Sequence, residues 1–207
     1  ALANAYEFFE GAKADETIAL VGIGASSTSV GVMEHGVLKA ARVLNIAGNA
    51  FTRAVKREFD LGFDESEKLK IEHGLSGLDA KPEEIDEIRD RVARVLKPAV
   101  KDLSGEIQRT IDVFLERRPA DYPPIRRVFL AGGSAEMKGL ADRIAADTGL
   151  AVEVFRPIVN TAAANGTGIA PLAAALVGPC GLGLSNTLLR KSTGSRINLV
   201  PRKARRS

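Results

Sequence analysis

The chain reads as an α/β fold, a mixed sheet with flanking helices, and three observations predict it. Three strand-like runs with short turns open the ordered part, which is the pattern of an antiparallel meander. A long stretch of apolar residues at three- and four-residue intervals follows, which is helical. Strand, glycine turn, helix and strand come last, the crossover that builds a parallel pair.

In chain order, Ala1 to Gly11 reads as the end of a helix, with Leu2, Ala5, Tyr6 and Phe9 on one face. Thr17 to Ile23 is a strand, apolar on both faces and so central in its sheet. Thr28 to Met33 is the next strand, Glu34-His35-Gly36 a tight turn with His35 at its exposed tip, and Val37 to Ile46 the third strand. Ala47-Gly48-Asn49 ends the meander. A helix from about Ala50 to Phe59 then turns Phe51, Ala54, Val55 and Phe59 inward. Asp64 begins another helix, and Glu67 stands at the spacing of a capping box. Gly74 to Lys81 is a polar loop, expected to be mobile.

Pro82 opens the longest helical pattern, with Ile85, Ile88, Val92, Leu96, Val100, Leu103, Ile107, Ile111 and Phe114 on one face. Pro98 removes one helix hydrogen bond and predicts a kink or break near Leu96. Pro119 to Pro124 is a linker. Ile125 to Ala131 is a strand, Gly132-Gly133 a turn that opens a helix through Thr148, and Ala151 to Phe155 a short strand. Meander, helices and then a parallel strand is the order of a ribonuclease-H-like sheet, and no internal repeat is visible.

Bulk composition narrows the function. The chain has 207 residues, 45% hydrophobic and 27% charged, with a net charge of +3. Arg190, Lys191, Arg196, Arg202, Lys203, Arg205 and Arg206 crowd the C-terminal end, so the body is slightly acidic and offers no nucleic-acid-binding face. The lone Cys180 rules out an internal disulfide and fits a reducing compartment. The opening residues carry no secretory pattern, and the missing initiator Met predicts a truncated or processed chain. Ile169 to Leu189 is apolar but interrupted by Pro171, Gly178 and Pro179, which predicts a buried interface helix rather than a membrane span.

Two glycine turns suggest a site. In Leu20-Val21-Gly22-Ile23-Gly24-Ala25-Ser26-Ser27-Thr28, Gly24 permits a positive φ and close ligand approach. Ser26, Ser27 and Thr28 add hydroxyls and turn amides that can hold an anion. Ala131-Gly132-Gly133-Ser134 is the second turn. Together they can converge on one nucleotide, at its phosphates and at its adenosine. The alternative is an ordinary hairpin and an ordinary helix start.

The segments Val21 to Thr28, Ala47-Gly48-Asn49, Glu67-Lys68-Leu69-Lys70 and Phe129 to Ala135 occur in the order seen in the actin-like ATPase superfamily. Within it the chain resembles the second half of the type IV pilus assembly protein PilM family. Glu106 to Asp112 and Val152 to Pro157 share the likeness. The resemblance implies ATP or ADP as ligand: Gly24, Ala25, Ser26, Ser27 and Thr28 as the second phosphate loop, Glu67 and Lys70 at the edge of the adenosine, and Gly132, Gly133 and Ser134 beneath the nucleoside. Each has a structural alternative, with Glu67 only capping, Lys70 only solvated and Gly133 only starting a helix. The superfamily usually carries an aspartate where this chain has Gly22, and the first phosphate loop is absent. Magnesium would need ligands from outside this chain, and efficient ATP hydrolysis is not expected.

The resemblance also implies a cytoplasmic scaffold, peripheral to the inner membrane, in a type IV pilus or type II secretion platform. Ile197, Asn198, Leu199, Val200 and Pro201 resemble the short cytoplasmic motif of PilN, the membrane partner of PilM, and the alternative is a plain C-terminal strand or tail. The basic residues beyond add a weak attraction to anionic lipid. The expected organisation is an actin-like domain over 1–166, mainly helical between about 50 and 118, an interface helix over 167–190 and a basic tail over 191–207. Alternatives are an active ATPase or sugar-kinase relative, and a filament-forming relative like the cell-division protein FtsA; self-association stays open.

Overall fold

The computed structural model describes residue 3, residues 16–35, 37–76 and 86–156, and residues 174, 175 and 177. At its centre lies β1 (Thr17–Ile23), hydrogen-bonded on both sides and buried on both faces. β2 (Thr28–Glu34) pairs with it antiparallel, from Thr17 opposite Glu34 to Ile23 opposite Thr28. β3 (Val37–Leu44) continues the meander as the edge strand. On the other side β4 (Arg127–Ala131) runs parallel to β1, with Ile18 beside Arg127 and Gly22 beside Ala131. β5 (Ala151–Val154) runs parallel to β4, giving the order β3-β2-β1-β4-β5. This is the ribonuclease-H-like order.

The helices whose full span lies among the described residues are α1 (Gly48–Phe59), α2 (Phe63–His73), α3 (Glu87–Leu115) and α4 (Leu140–Thr148). The Asp86 carboxylate caps α3, accepting from the amides of Ile88 at 3.0 Å and Arg89 at 3.1 Å, two donors that the helix leaves unpaired. Val92, Leu96, Val100, Leu103 and Ile107 form its inner stripe, fully buried against Ala19, Val21, Ile23, Val30 and Val32 of the sheet. A smaller cluster fills the opposite sheet face. There Ile18, Leu20, Met33, Phe129 and Phe155 meet Val177, with the two phenyl rings edge to face at 6.1 Å.

Several local expectations are corrected. α3 runs unbroken through Pro98. Pro98 and Arg94, whose carbonyl loses its donor, are both exposed, so the missing bond falls on the solvated side. The capping pair of α2 is Gly62 and Glu65, with the Glu65 carboxylate accepting from the Gly62 amide at 3.0 Å; Glu67 caps nothing and points elsewhere. Gly132-Gly133 does not open one long helix. A 3₁₀ turn spans Gly133–Glu136, and α4 starts only after Gly139, whose φ of +73° interrupts the helical path. β3 stops at Leu44, and the Ile46 carbonyl instead accepts the Thr28 hydroxyl at 2.6 Å. The expected helix over 1–11 apart from Ala3, the Pro82 start, most of the 74–81 loop, the 167–190 helix apart from three residues, and the tail with Ile197 to Pro201 lie outside the described residues.

The link after α3 is tied down. Tyr122 bonds to Thr17 at 3.2 Å, and the Arg118 guanidinium stacks on Phe114 and Tyr122 at 4.5 and 5.0 Å. A hydrogen bond from Tyr122, helped by Arg118, Lys39 and His35, holds the Glu34 carboxyl below its ordinary pKa. Among the described residues no helix is long and apolar enough to cross a membrane.

Two outcomes follow. Ile107→Ala, which empties a site beneath the sheet, costs about 2–5 kcal/mol in a denaturant titration. Because the folded-state pKa of Glu34 is lowered, its contribution is full above the ordinary carboxylate range and is lost as pH falls through the lowered value. Denaturant midpoints of Glu34→Gln therefore fall below the parent at neutral pH and converge with it in acid.

Candidate functional site

Because β1 and β4 are parallel neighbours, the turns leaving their C-terminal ends emerge side by side. In open α/β sheets this end is where ligands sit. The Gly24 carbonyl joins three segments there. It accepts the Gly48 amide at 3.0 Å from the start of α1 and the Ser134 hydroxyl at 3.5 Å from the second turn. Next to it the Asn49 amide donates to the Ala25 carbonyl at 2.7 Å, and the Asn49 side chain donates to Ser26 Oγ at 3.3 Å.

The closeness depends on glycine at two positions. Gly132 has φ +94°, and a Cβ there would lie 2.3 Å from the Ile23 carbonyl oxygen. A Cβ on Gly48 would lie 2.4 Å from Ser134 Oγ. Gly24, where a positive φ was expected, does not have one; it is closed by its own amide donating to the Ser27 carbonyl at 3.0 Å. The left-handed demand falls on the second turn.

Between the turns and α2 lies a cleft of about 470 Å³, within the usual range for small-ligand sites. Of the residues anticipated for a site, Gly24, Ala25, Glu67, Lys70, Gly133 and Ser134 line it together. Ser27 and Gly132 instead line a groove of about 420 Å³ across the opposite sheet face, next to Gly22. Ser26 is exposed at the tip of the first turn. Thr28 is fully buried, and its hydroxyl is spent on Ile46, so it anchors the turn.

Lys70 is only 4% exposed, and its ammonium is neutralised in place. It donates to both Glu67 oxygens at 2.8 and 2.7 Å and to Thr52 Oγ1 at 3.1 Å. The Thr52 hydroxyl in turn bonds to Glu67 Oε2 and lies 3.0 Å from the Gly48 carbonyl. α1 and α2 are thus locked together at the cleft wall. Thr52 and Gly48 were not anticipated as site residues. The available signal was a threonine one helical turn after a glycine at a helix start, which is too common to single out. Glu136, also on the wall, is held by Arg156 at 2.6 Å.

With these charges paired, the cleft offers an uncharged floor and polar edges. A Cβ at Gly133 would meet nothing nearer than the Ala175 Cβ at 4.0 Å, so the space above it is open. Met137, Ala175 and Ile71 extend that apolar floor, suited to a planar ring. At the cleft edge, the Ala25 amide has no acceptor among the described residues and is open to a ligand. This donor and the space fit a nucleoside phosphate.

Sheet order, the paired turns and the wall of α1 and α2 define a chain with the actin-like ATPase fold. Solved structures agree. The chain matches a PilM–PilN type IV pilus biogenesis complex with a TM-score of 0.70 at 22% identity, covering 88% of this chain and 50% of that one. It matches MreB 5 of Spiroplasma citri bound to AMPPNP at 0.63 and 14%, covering 92% and 59%. It matches the ethanolamine utilization protein EutJ of Carboxydothermus hydrogenoformans at 0.57 and 19%, covering 87% and 52%. Residues 1–187 match the family Type IV pilus assembly protein PilM, and the chain belongs to it. Among curated relatives, the cell division protein FtsA of Agrobacterium fabrum is 25% identical over 181 residues, and that of Rhizobium meliloti 25% over 174. The match takes in 79% and 78% of this chain but only 39% and 37% of those proteins, so the chain spans well under half their length.

The two neighbouring glycines separate structure from ligand space. Gly132→Ala, forced to a positive φ and into the Ile23 carbonyl, loses at least about 2 kcal/mol by thermal or denaturant unfolding. Gly133→Ala stays within about 0.5 kcal/mol of the parent, because its new methyl enters open space.

Proposed function

We propose that this chain is the nucleotide-facing lobe of a PilM-like scaffold in the inner-membrane platform of a type IV pilus or a related type II secretion machine. ATP or ADP binds in the cleft as a regulatory ligand. The observation that carries this reading is the meeting of the Gly24-Ala25 turn, the Gly133-Ser134 turn and the Glu67–Lys70 pair around one cavity.

Within this reading, the Ala25 amide at the cleft edge faces phosphate oxygens, as a fixed donor that needs no reorganisation. Gly133 and Met137 carry the base, and the absent side chain at 133 leaves room for a ring. Lys70 stays held by Glu67 and Thr52 and presents its stem and the Glu67 carboxylate to a ribose. Turnover is not part of the proposal, because Gly22 supplies no carboxylate for a metal and its waters. Nucleotide occupancy biases the wall made by α1 and α2, and through it the grip on a partner.

The partner in this reading is a PilN-like inner-membrane protein, as in the complex whose structure this chain resembles. Ile197 to Pro201 serve as the docking motif, in cis or in trans, and the scaffold is cytoplasmic and peripheral to the inner membrane, with Arg202, Lys203, Arg205 and Arg206 adding weak attraction to anionic lipid. The FtsA relatives favour a second reading, a filament-forming protein, for which nucleotide-dependent sedimentation is the signature.

The test is a titration of fluorescent ATP, with and without magnesium, against the chain and its longest natural form, alongside Gly133→Ala and Gly133→Phe. Saturable binding that the phenylalanine abolishes and the alanine spares supports the cleft as the nucleotide site. Absence of binding to every form overturns it and leaves a docking platform alone. The same samples are sedimented, and pelleting only with nucleotide favours the filament.

A further inference from the structure

The edge of the sheet away from the cleft is formed by β3. β3 is eight residues long, and its outer edge has no strand partner among the described residues. Val37, Leu38 and Val43 are 55%, 47% and 69% exposed. A long edge with exposed apolar residues is a template for another strand. Beside it, β3 and α3 enclose a groove of about 480 Å³, with Ala40, Val113 and Phe114 in its wall.

All the charged residues that line this groove are basic: Lys39, Arg42, Arg117 and Arg118. Arg109, on the same flank of α3, adds a fifth cation that is 68% exposed. Two carboxylates serve most of them. Glu34 is shared by Lys39 at 3.7 Å and Arg118 at 3.4 Å, and Glu106 by Arg42 at 2.9 Å and Arg109 at 3.1 Å. Arg117 has no partner among the described residues. The groove therefore carries a positive excess on a body that is slightly acidic elsewhere.

We propose that β3 and this groove receive an extended, acidic segment of a partner protein, which adds as a sixth strand. Its backbone pairs with the β3 edge, its carboxylates, on one face of the added strand, enter the groove to meet Lys39, Arg42 and Arg117, and the apolar side chains between them turn to the other sheet face, where Leu38 and Val43 are exposed. Charge selects this occupant over two others. A second copy paired through β3 would set Lys39 and Arg42 against their own counterparts. The chain's own C-terminal segment, with Arg196, Arg202 and Lys203, is also basic.

Fluorescence anisotropy on the full chain tests this with three labelled probes of β3 length. These are a peptide alternating Glu and Val, its Lys and Val counterpart, and the acidic peptide with alternate amides methylated. The acidic peptide binds saturably, about tenfold or more tighter than the lysine peptide, and weakens with added salt. Methylation abolishes binding. Arg117→Glu, at an exposed position, and Val113→Asp, in the groove wall, each weaken binding about tenfold with an unchanged circular dichroism spectrum. The proposal is overturned by no saturation, by equal binding of the lysine or methylated peptide, by indifference to both substitutions, or by a dimer in sedimentation that a β3 substitution dissolves.

Discussion

The approach of Gly132 to the Ile23 carbonyl is the constraint on which the rest depends. Strand β4 must leave the sheet beside β1 and turn at once, without a side chain between them. Only a glycine at φ +94° allows that path. It brings Ser134 to the Gly24 carbonyl, where the Gly48 amide also lands. One carbonyl then holds two turns and a helix start in register, and the cleft is the space they leave.

Support for that arrangement comes from the sheet and from α3. β1 is buried on both faces, and parallel pairing to β4 sends both turns to one end. α3 lays a continuous apolar stripe under β1 and β2, so the end of β1 cannot drift relative to the helices around it. Pro98 is tolerated because it stands on the solvated side of a helix that the stripe already holds. Tyr122 and Arg118 fasten the segment that returns from α3 toward β4.

Charge is divided between two regions. At the cleft, Lys70 is matched by Glu67 and Arg156 by Glu136, which leaves a floor without excess charge. A buried lysine is costly unless paired, so the Glu67 and Thr52 contacts keep it in place and bind α2 to α1. Around β3 the cations outnumber their carboxylates. The two proposed sites therefore differ in charge, paired at the cleft and in positive excess beside β3.

Much of the fold was legible from periodicity alone. Thr17 to Ile23 is apolar on both faces, which only a central strand requires, and the stripe from Val92 to Phe114 admits no period but the helical one. The residues around the cleft were legible as segments, because glycine turns after apolar strands are local signals. What local signals could not decide was their use. Glu67 stood at capping spacing, yet Gly62 and Glu65 cap the helix and leave Glu67 to pair with Lys70. Thr28 looked like an anion ligand, yet its hydroxyl faces inward to Ile46. Gly24 and Gly132 looked alike in sequence, and only the neighbouring Ile23 carbonyl makes the second one the strained position. Thr52 carried only a signal too common to single out, because its importance comes from a lysine eighteen residues away along the chain. Sequence determined which elements form, since period and turn chemistry are local; tertiary structure decided which side chains meet, since that depends on the strand pairing that brings distant turns together.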